Sequence, residues 1–452
     1  MVTRPFPDRF VFGVATSAYQ IEGSLDADGR GPCIWDEFAA TPGAIADGST
    51  AEIACDGYRR AIDDVALLGE LGVGAYRFSI AWPRIQPDGT GPGLAAGLDH
   101  YDRLIDALLA AGIRPLPTLY HWDLPSALQR SGGWANRETA TRFAEFSAVV
   151  AARYADRVPE WITINEPWII ALCGHRLGLH APGHADLAES VRVNHHLLLA
   201  HGLARQAIRD IDPAARVGIT LNLIPCYPAT DSPADGAATV GSDGYVNRWY
   251  LDPLAGRGYP QDMIGHYARA GAPLDMVQDG DMACIAGGYD FLGINYYTHR
   301  VMTADRHDDD PFEWSVVPPP ADADVSDIGA QNVPWALTDL LMRVDRDYGS
   351  PEVYITENGV AFHEEASADG IVHDDRRIDY LRGHLAAVAD AVDRGANVRG
   401  YFVWSLLDNW EWAMGYPPRF GLVRVDFPSG RRTIKDSGRY YAGVISARSL
   451  TP

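Results

Sequence analysis

Trp161-Ile-Thr-Ile-Asn-Glu-Pro167 decides how the chain is read: an apolar, β-prone run that stops on an amide, a carboxylate and a proline. A run without polar alternation is what a parallel strand buried on both faces looks like. Tyr354-Ile-Thr-Glu-Asn-Gly359 repeats the arrangement. Outward from these two, the same character recurs, giving eight segments near Val11–Ala15, Ala75–Ile80, Arg114–Tyr120, Trp161–Asn165, Val217–Leu221, Phe291–Asn295, Val353–Thr356 and Val398–Trp404. The stretches between them carry apolar residues at helical spacing. Asp56–Leu71 places Ile62, Val65, Leu68 and Leu71 ahead of Gly72. Asp99–Ala111 holds Leu104, Leu108 and Leu109, and Arg376–Arg394 holds Ile378, Leu381, Leu385, Val388 and Val392 ahead of Gly395.

Strand and helix alternating eight times is the count of a (β/α)8 barrel. The expected fold is α/β, a single (β/α)8 TIM barrel spanning residues 1–452 as one catalytic domain, with elaborated βα loops. The longest gaps, around Pro225–Tyr245 and Val301–Val333, read as those loops; the second carries Asp308-Asp309-Asp310 and Pro318-Pro319-Pro320. A doubly wound open sheet uses the same local units, but no G-x-G-x-x-G follows the first strand. Gly72-Val73-Gly74 lacks the third glycine and precedes a strand, which fits a helix cap.

Lys and Arg number 38 against 60 Asp and Glu, a net charge of −22 that repels nucleic acid and anionic membrane surfaces. The five cysteines, Cys33, Cys55, Cys173, Cys226 and Cys284, form no C-x-x-C pair, so neither a disulfide framework nor a thiolate zinc site is expected. The N-terminal stretch Met1–Phe10 lacks the apolar core of a signal peptide, and no run is long enough to span a membrane. A reduced cytoplasmic protein is the expectation. Lys435 is the one lysine, which reads as a composition bias toward Arg.

Barrels carry their chemistry at the C-terminal ends of strands. Those ends offer Arg77 and Ser79, His121, Asn165 and Glu166, Asn222, Asn295 and Tyr297, Glu357 and Asn358, and Trp404. Glu166 and Glu357 stand out, because a carboxylate aimed into a barrel mouth is costly unless paired or used. Two carboxylates across one cleft suit glycosidic bond cleavage. About 5–5.5 Å between them gives a nucleophile with an acid/base and retention; about 6.5–9.5 Å admits a water and gives inversion. Arg77 is a candidate partner for the nucleophile.

Five stretches, Phe10–Gly23, Tyr76-Arg-Phe-Ser-Ile80, Thr163-Ile-Asn-Glu-Pro167, Ile355-Thr-Glu-Asn-Gly359 and Trp404-Ser-Leu-Leu-Asp-Asn-Trp-Glu-Trp412, carry a further signal. By them the chain resembles glycoside hydrolase family 1, the β-glucosidase family, over essentially its whole length. The resemblance implies that Glu357 is the nucleophile and Glu166 the acid/base. Asn165 would bond the sugar 2-hydroxyl, Arg77 and Tyr297 would hold Glu357, and Asn295 would support the pair. Gln20, His121, Trp122, Trp404, Glu411, Trp412 and Phe420 would bind the non-reducing sugar. Gln20 and Glu411 would grip the 4-hydroxyl, Trp404 would lie under the ring and Phe420 near O6. Trp168, Cys173, His180 and Trp335 would shape the aglycone side. A carboxylate at Glu411 argues against a 6-phosphorylated sugar, and an acid at Glu166, where thioglucoside-cleaving relatives carry Gln, argues for O-glycosides.

The implied activity is that of a retaining β-glycosidase, first a β-glucosidase acting on cellobiose-like or aryl and alkyl β-glucosides, with a role in cellulose degradation. No cofactor or metal is implied, since two carboxylates supply acid, base and nucleophile. The partner is a small-molecule β-glycoside; the oligomeric state stays open, a homo-oligomer included. The rivals are a 6-phospho-β-glycosidase, a non-catalytic sugar-binding barrel and a metal-dependent barrel hydrolase. His195, His196 and His201 cluster in a helix-like run, but with no acidic residue at ligand spacing they read as structural. Asp308–Asp310 reads as a solvated loop, and Trp35, Trp134, Trp249 and Trp314 as packing.

Overall fold

The computed structural model describes residues 4–306, 312–367 and 370–450. The triad Asp308–Asp310 lies outside them. Eight parallel strands close on themselves: β1 (Val11–Ala15), β2 (Ala75–Ser79), β3 (Arg114–Tyr120), β4 (Glu160–Asn165), β5 (Arg216–Asn222), β6 (Leu292–Asn295), β7 (Val353–Asn358) and β8 (Val398–Trp404). β8 returns to β1, pairing Gly400 with Val11 and Trp404 with Ala15, so the sheet has no free edge. Every residue of β2, β4, β6 and β7 is buried, as continuous apolar runs require.

Helices α1 (Gly57–Leu71), α2 (Ala95–Ala110), α3 (Glu138–Tyr154), α4 (Leu187–Ile211), α5 (Pro334–Tyr348), α6 (Asp375–Asp393) and α7 (Asp436–Ala447) flank the strands. Their inner faces, among them Leu68, Leu108, Phe143, Phe146, Leu197, Leu337 and Leu385, join one buried apolar cluster with the outward strand residues. A second cluster fills the barrel itself: Ala15, Ala75, Leu116, Ile162, Phe291, Tyr354 and Phe402, capped at the mouth by Trp404 and Phe420. Truncating such a leucine to alanine costs about 2–5 kcal/mol.

α2 starts at Ala95, four positions before the expected Asp99. Gly97 is the reason. A β-carbon there would stand 2.2 Å from the Arg84 carbonyl oxygen, so glycine lets the first turn pass against that backbone despite its poor helix propensity. The two longest gaps turn out to fold together. Cys226–Pro228 lies parallel to Arg300–Thr303, which pairs antiparallel with Ser315–Val317 in a small sheet. Among the described residues no helix is long and apolar enough to cross a membrane. All five cysteines are free.

Candidate active site

The ends of β2, β4, β6 and β7 converge on one hydrogen-bonded chain. Arg77, wholly buried on β2, donates from Nη1 to Glu357 Oε1 at 2.5 Å and from Nη2 to Asn165 Oδ1 at 2.6 Å. Its Nε donates to Thr118 on β3 at 3.1 Å. The other Glu357 oxygen accepts from the Tyr297 hydroxyl at 2.7 Å. Glu357 therefore has a fixed cation on one side and a phenol on the other, with both its oxygens held in place.

Glu166 has a different setting. Its Oε1 accepts from the Asn295 amide at 2.6 Å and from Asn222 at 3.2 Å, and the Arg77 charge acts on it only weakly, as the last of the influences on it. Burial first, and then the charge of Glu357, push its pKa up to about 8. Such a carboxyl keeps its proton at neutral pH and can give it away. Asn295 also donates to Asn165 Oδ1 at 3.1 Å and is oriented by Thr356, so the amides bridge the two glutamates' surroundings. Backbone strain collects here: Glu166, Trp122 and Trp412 all have left-handed φ, at 53°, 81° and 52°. Gly359 is obligatory, because a β-carbon would meet the Trp404 carbonyl oxygen at 1.7 Å.

Beside this pair lies a ring-walled pocket. His121 is stacked 5.8 Å from Trp404 and 6.0 Å from Trp412, and Trp122 lies 4.6 Å from Trp412. The Asn165 amide donates to His121 Nε2 at 3.2 Å, which puts the ring proton on Nδ1. That Nδ1 is buried and meets no partner among the described residues. Burial, then the Arg77 charge, hold His121 well below its ordinary pKa, so the ring is a neutral donor aimed at whatever fills the pocket. Gln20 Nε2 donates to Glu411 Oε2 at 3.0 Å and to Asn409 at 2.9 Å. Glu411 is pushed up to about 8 by burial and then by Glu357, and no cation acts on it. Phe420 packs edge-on to Tyr297 at 6.2 Å. Oriented donors and acceptors on aromatic walls are the chemistry of a sugar site.

The profile of glycosyl hydrolase family 1 matches residues 2–450. The chain belongs to glycosyl hydrolase family 1. It is 45% identical to β-glucosidase A of Acetivibrio thermocellus, over 97% of this chain and 98% of that one. The structure superposes on the AHE enzyme of Alicyclobacillus herbarius with a TM-score of 0.96, at 48% identity and covering 99% of each chain. On the β-glucosidase of Thermotoga maritima in complex with glucoimidazole the TM-score is 0.95, at 44% identity, covering 99% of this chain and all of that one.

Within this family 1 enzyme the residues expected on the aglycone side divide. Trp168 is buried next to Glu166, with the Arg300 guanidinium over its ring at 5.0 Å. Cys173 lies close enough to Glu166 for that charge, after burial, to help push its thiol up to about 12. His180 sits between Trp35 and Trp122, at 5.2 and 5.7 Å. Trp335 stands apart, 52% exposed and packed on Tyr227 and His299. The sequence list omitted Thr118 and Thr356 as supports and Asn409 as the partner of Gln20. Asn409 and Thr356 had a signal, lying within the quoted Trp404–Trp412 and Ile355–Gly359 stretches; Thr118 had none beyond strand position.

The three clustered histidines do find an acidic group, contrary to the local spacing: His195 Nε2 is 2.9 Å from Asp281, which arrives from 86 positions along the chain. They still do not converge. His195 Nδ1 meets Tyr259, His196 meets the Trp134 carbonyl, and His201 lies between Thr163 and Gly288.

Proposed function

We propose that the protein is a retaining β-glucosidase, releasing terminal β-D-glucosyl residues from cellobiose-like oligosaccharides and aryl or alkyl β-glucosides, with residues 1–452 acting as one catalytic domain. The asymmetry of the two glutamates carries the reading: Glu357 is bonded to Arg77 and Tyr297, whereas Glu166 is bonded to amides only. Glu357 attacks the anomeric carbon as Glu166 protonates the departing oxygen. Glu166 then takes a proton from water, which releases the sugar from Glu357 with retained configuration. Asn165, held by Arg77, is the partner for the 2-hydroxyl, where a hydrogen bond strengthens in the transition state. Gln20, His121 and Glu411 bind the remaining hydroxyls against Trp404, Trp412 and Phe420, and Trp122 holds the Asn165 carbonyl through its indole N–H. Trp168, Cys173 and His180 face the leaving group, with Trp335 farther out on the rim. Action on cellobiose would put the enzyme at the last step of cellulose breakdown.

The pocket also bears on the phosphorylated rival. A Glu411 carboxyl raised to about 8 is largely neutral at pH 7, so its charge alone would not repel a phosphate. What disfavours a 6-phosphate is that no Lys or Arg acts on Glu411, so the anion would be buried without a counter-charge. A panel of nitrophenyl glycosides varying in sugar, anomer and 6-phosphorylation tests the assignment, with NMR of the first anomer released. Hydrolysis confined to β-anomers, unphosphorylated sugars favoured and β-product formed first are expected; α-product first would overturn it.

A further inference from the structure

The segment after Glu166 folds back on itself. Past the wide turns of Ile170–Arg176, the N–H groups of Leu179 and His180 donate to the Cys173 carbonyl at 2.8 and 3.0 Å. His184 N–H donates to Gly174 at 2.9 Å and Asp186 N–H to His175 at 2.7 Å. Asp186 then caps α4, accepting from the Glu189 N–H at 2.9 Å. The fold-back sets three side chains face to face. His175 Nδ1 is 2.5 Å and His184 Nδ1 2.6 Å from the same oxygen, Glu189 Oε1. Their rings meet at 87° with centroids 5.5 Å apart.

We propose that His175, His184 and Glu189 form a binding site for one divalent ion of the zinc class, separate from the catalytic pocket. Two imidazole nitrogens and a carboxylate oxygen are a donor set that suits zinc, whereas magnesium and calcium want oxygens alone. One atom from each residue lies within 4.8 Å of the others. Bonds of about 2.0–2.2 Å to a tetrahedral ion separate its ligand atoms by roughly 3.3 Å. The present spacing therefore needs shifts of about an ångström or less. His175 is buried and fixed, while His184 and Glu189 are partly open, so the two movable ligands are the ones that can adjust and water can complete the shell. Without metal, each Nδ1–H donates to Glu189. With metal, each neutral ring carries its proton on Nε2 and turns the Nδ1 lone pair to the ion. The ion would tie the loop holding Cys173 and His180 to the first turn of α4.

The test uses the full chain, treated with EDTA, desalted and titrated with zinc chloride by calorimetry, then with cobalt chloride followed in the visible. One zinc per chain with a Kd of about 1 μM or below, the strong visible bands of four-coordinate cobalt, and a Tm that rises and saturates with zinc are expected. His184→Ala and Glu189→Gln, both at partly exposed positions, should each weaken zinc at least ~100-fold and remove the cobalt bands. Unchanged affinity in both variants, or no saturable binding below about 1 mM, would overturn the site. Aryl glucoside hydrolysis by the EDTA-treated chain is read in parallel, so that failure of the metal site and failure of the glycosidase assignment are separate outcomes.

Discussion

Buried carboxylates occupy two kinds of surroundings in this molecule. Several away from the barrel mouth meet cations. Glu22 binds Arg84 at 2.9 Å, Asp374 binds Arg377 at 2.9 Å, and Asp408 binds Lys435 at 2.9 Å. At the mouth Glu166 and Glu411 accept from amides, and among the described residues Glu357 is the one of the three glutamates in an ion pair. Burial by itself favours the neutral form of a carboxyl. At Glu22 the Arg84 charge, with His100 and Tyr101, outweighs burial and holds the pKa below its ordinary value. At Glu166 and Glu411 nothing outweighs it, and both rise to about 8. Glu22, beside Arg84, is thus a structural anion, while Glu166 and Glu411, bonded to amides, are proton carriers.

Removing the one charged mouth carboxylate should do the most damage. Glu357→Ala is expected to lower kcat by at least ~10⁴-fold on every substrate, because it removes the bond-forming group and not merely a contact. Added azide should then restore turnover and give the α-glycosyl azide, by direct displacement on the face that Glu357 leaves open. Wild-type turnover in this variant would end the assignment. Glu166→Ala should split substrates instead. Alkyl glucosides and cellobiose, whose leaving groups need a proton, should lose about 10²–10⁴-fold. A dinitrophenyl glucoside should retain fast glycosylation, seen as a burst of phenol before slow release of the sugar. Equal losses on both substrates would mean that Glu166 is not the proton donor.

The barrel was legible because eight uninterrupted apolar runs ending in polar residues have few other homes. The positions of Glu166 and Glu357 were legible for the same reason. What local sequence could not supply is what crosses between strands. Asn295 and Asn222 reach Glu166 from β6 and β5, and Asp281 reaches His195 from the start of the short helix Asp281–Ile285. The start of α2 at Ala95 was not legible because what Gly97 accommodates, the Arg84 carbonyl, lies in another segment. Lys435 read as a trace of composition, yet it is wholly buried against Asp408, within the Trp404–Trp412 stretch that carries Glu411. His175, His184 and Glu189 were passed over because a fold-back, not a spacing rule, unites them.

Lys435 offers the next largest effect and concerns stability. Lys435→Met leaves Asp408 buried, with Arg419 at 3.6 Å as its remaining cation among the described residues. Losing one partner of such a pair costs about 3–5 kcal/mol, read as a lower urea midpoint. The double variant Lys435→Met with Asp408→Asn should recover part of it. Full stability in Lys435→Met would show that the pair does not stabilise this side of the molecule, and the contrast with the mouth would weaken.

The smallest effect tests the other side of the comparison. Glu411 has a folded-state pKa of about 8 against an ordinary 4.5, so between those values the folded chain binds more protons than the unfolded one. Stability linked to this group is therefore whole below about pH 4.5 and is lost as the pH climbs through 8. Glu166 contributes in the same direction. The slope per group cannot exceed about 1.4 kcal/mol per pH unit, and coupling between the two titrations spreads their steps over pH. Glu411→Gln keeps the shape and the hydrogen-bonding partner of Gln20 but removes the titration. Urea midpoints taken between about pH 5 and 8 should fall less steeply for the variant than for the wild type, with the curves parting toward the alkaline end. Parallel curves would mean that Glu411 is already ionised in the folded protein. The mouth would then hold two anions, Glu357 and Glu411, beside one arginine, and amide surroundings alone would not account for where the proton resides.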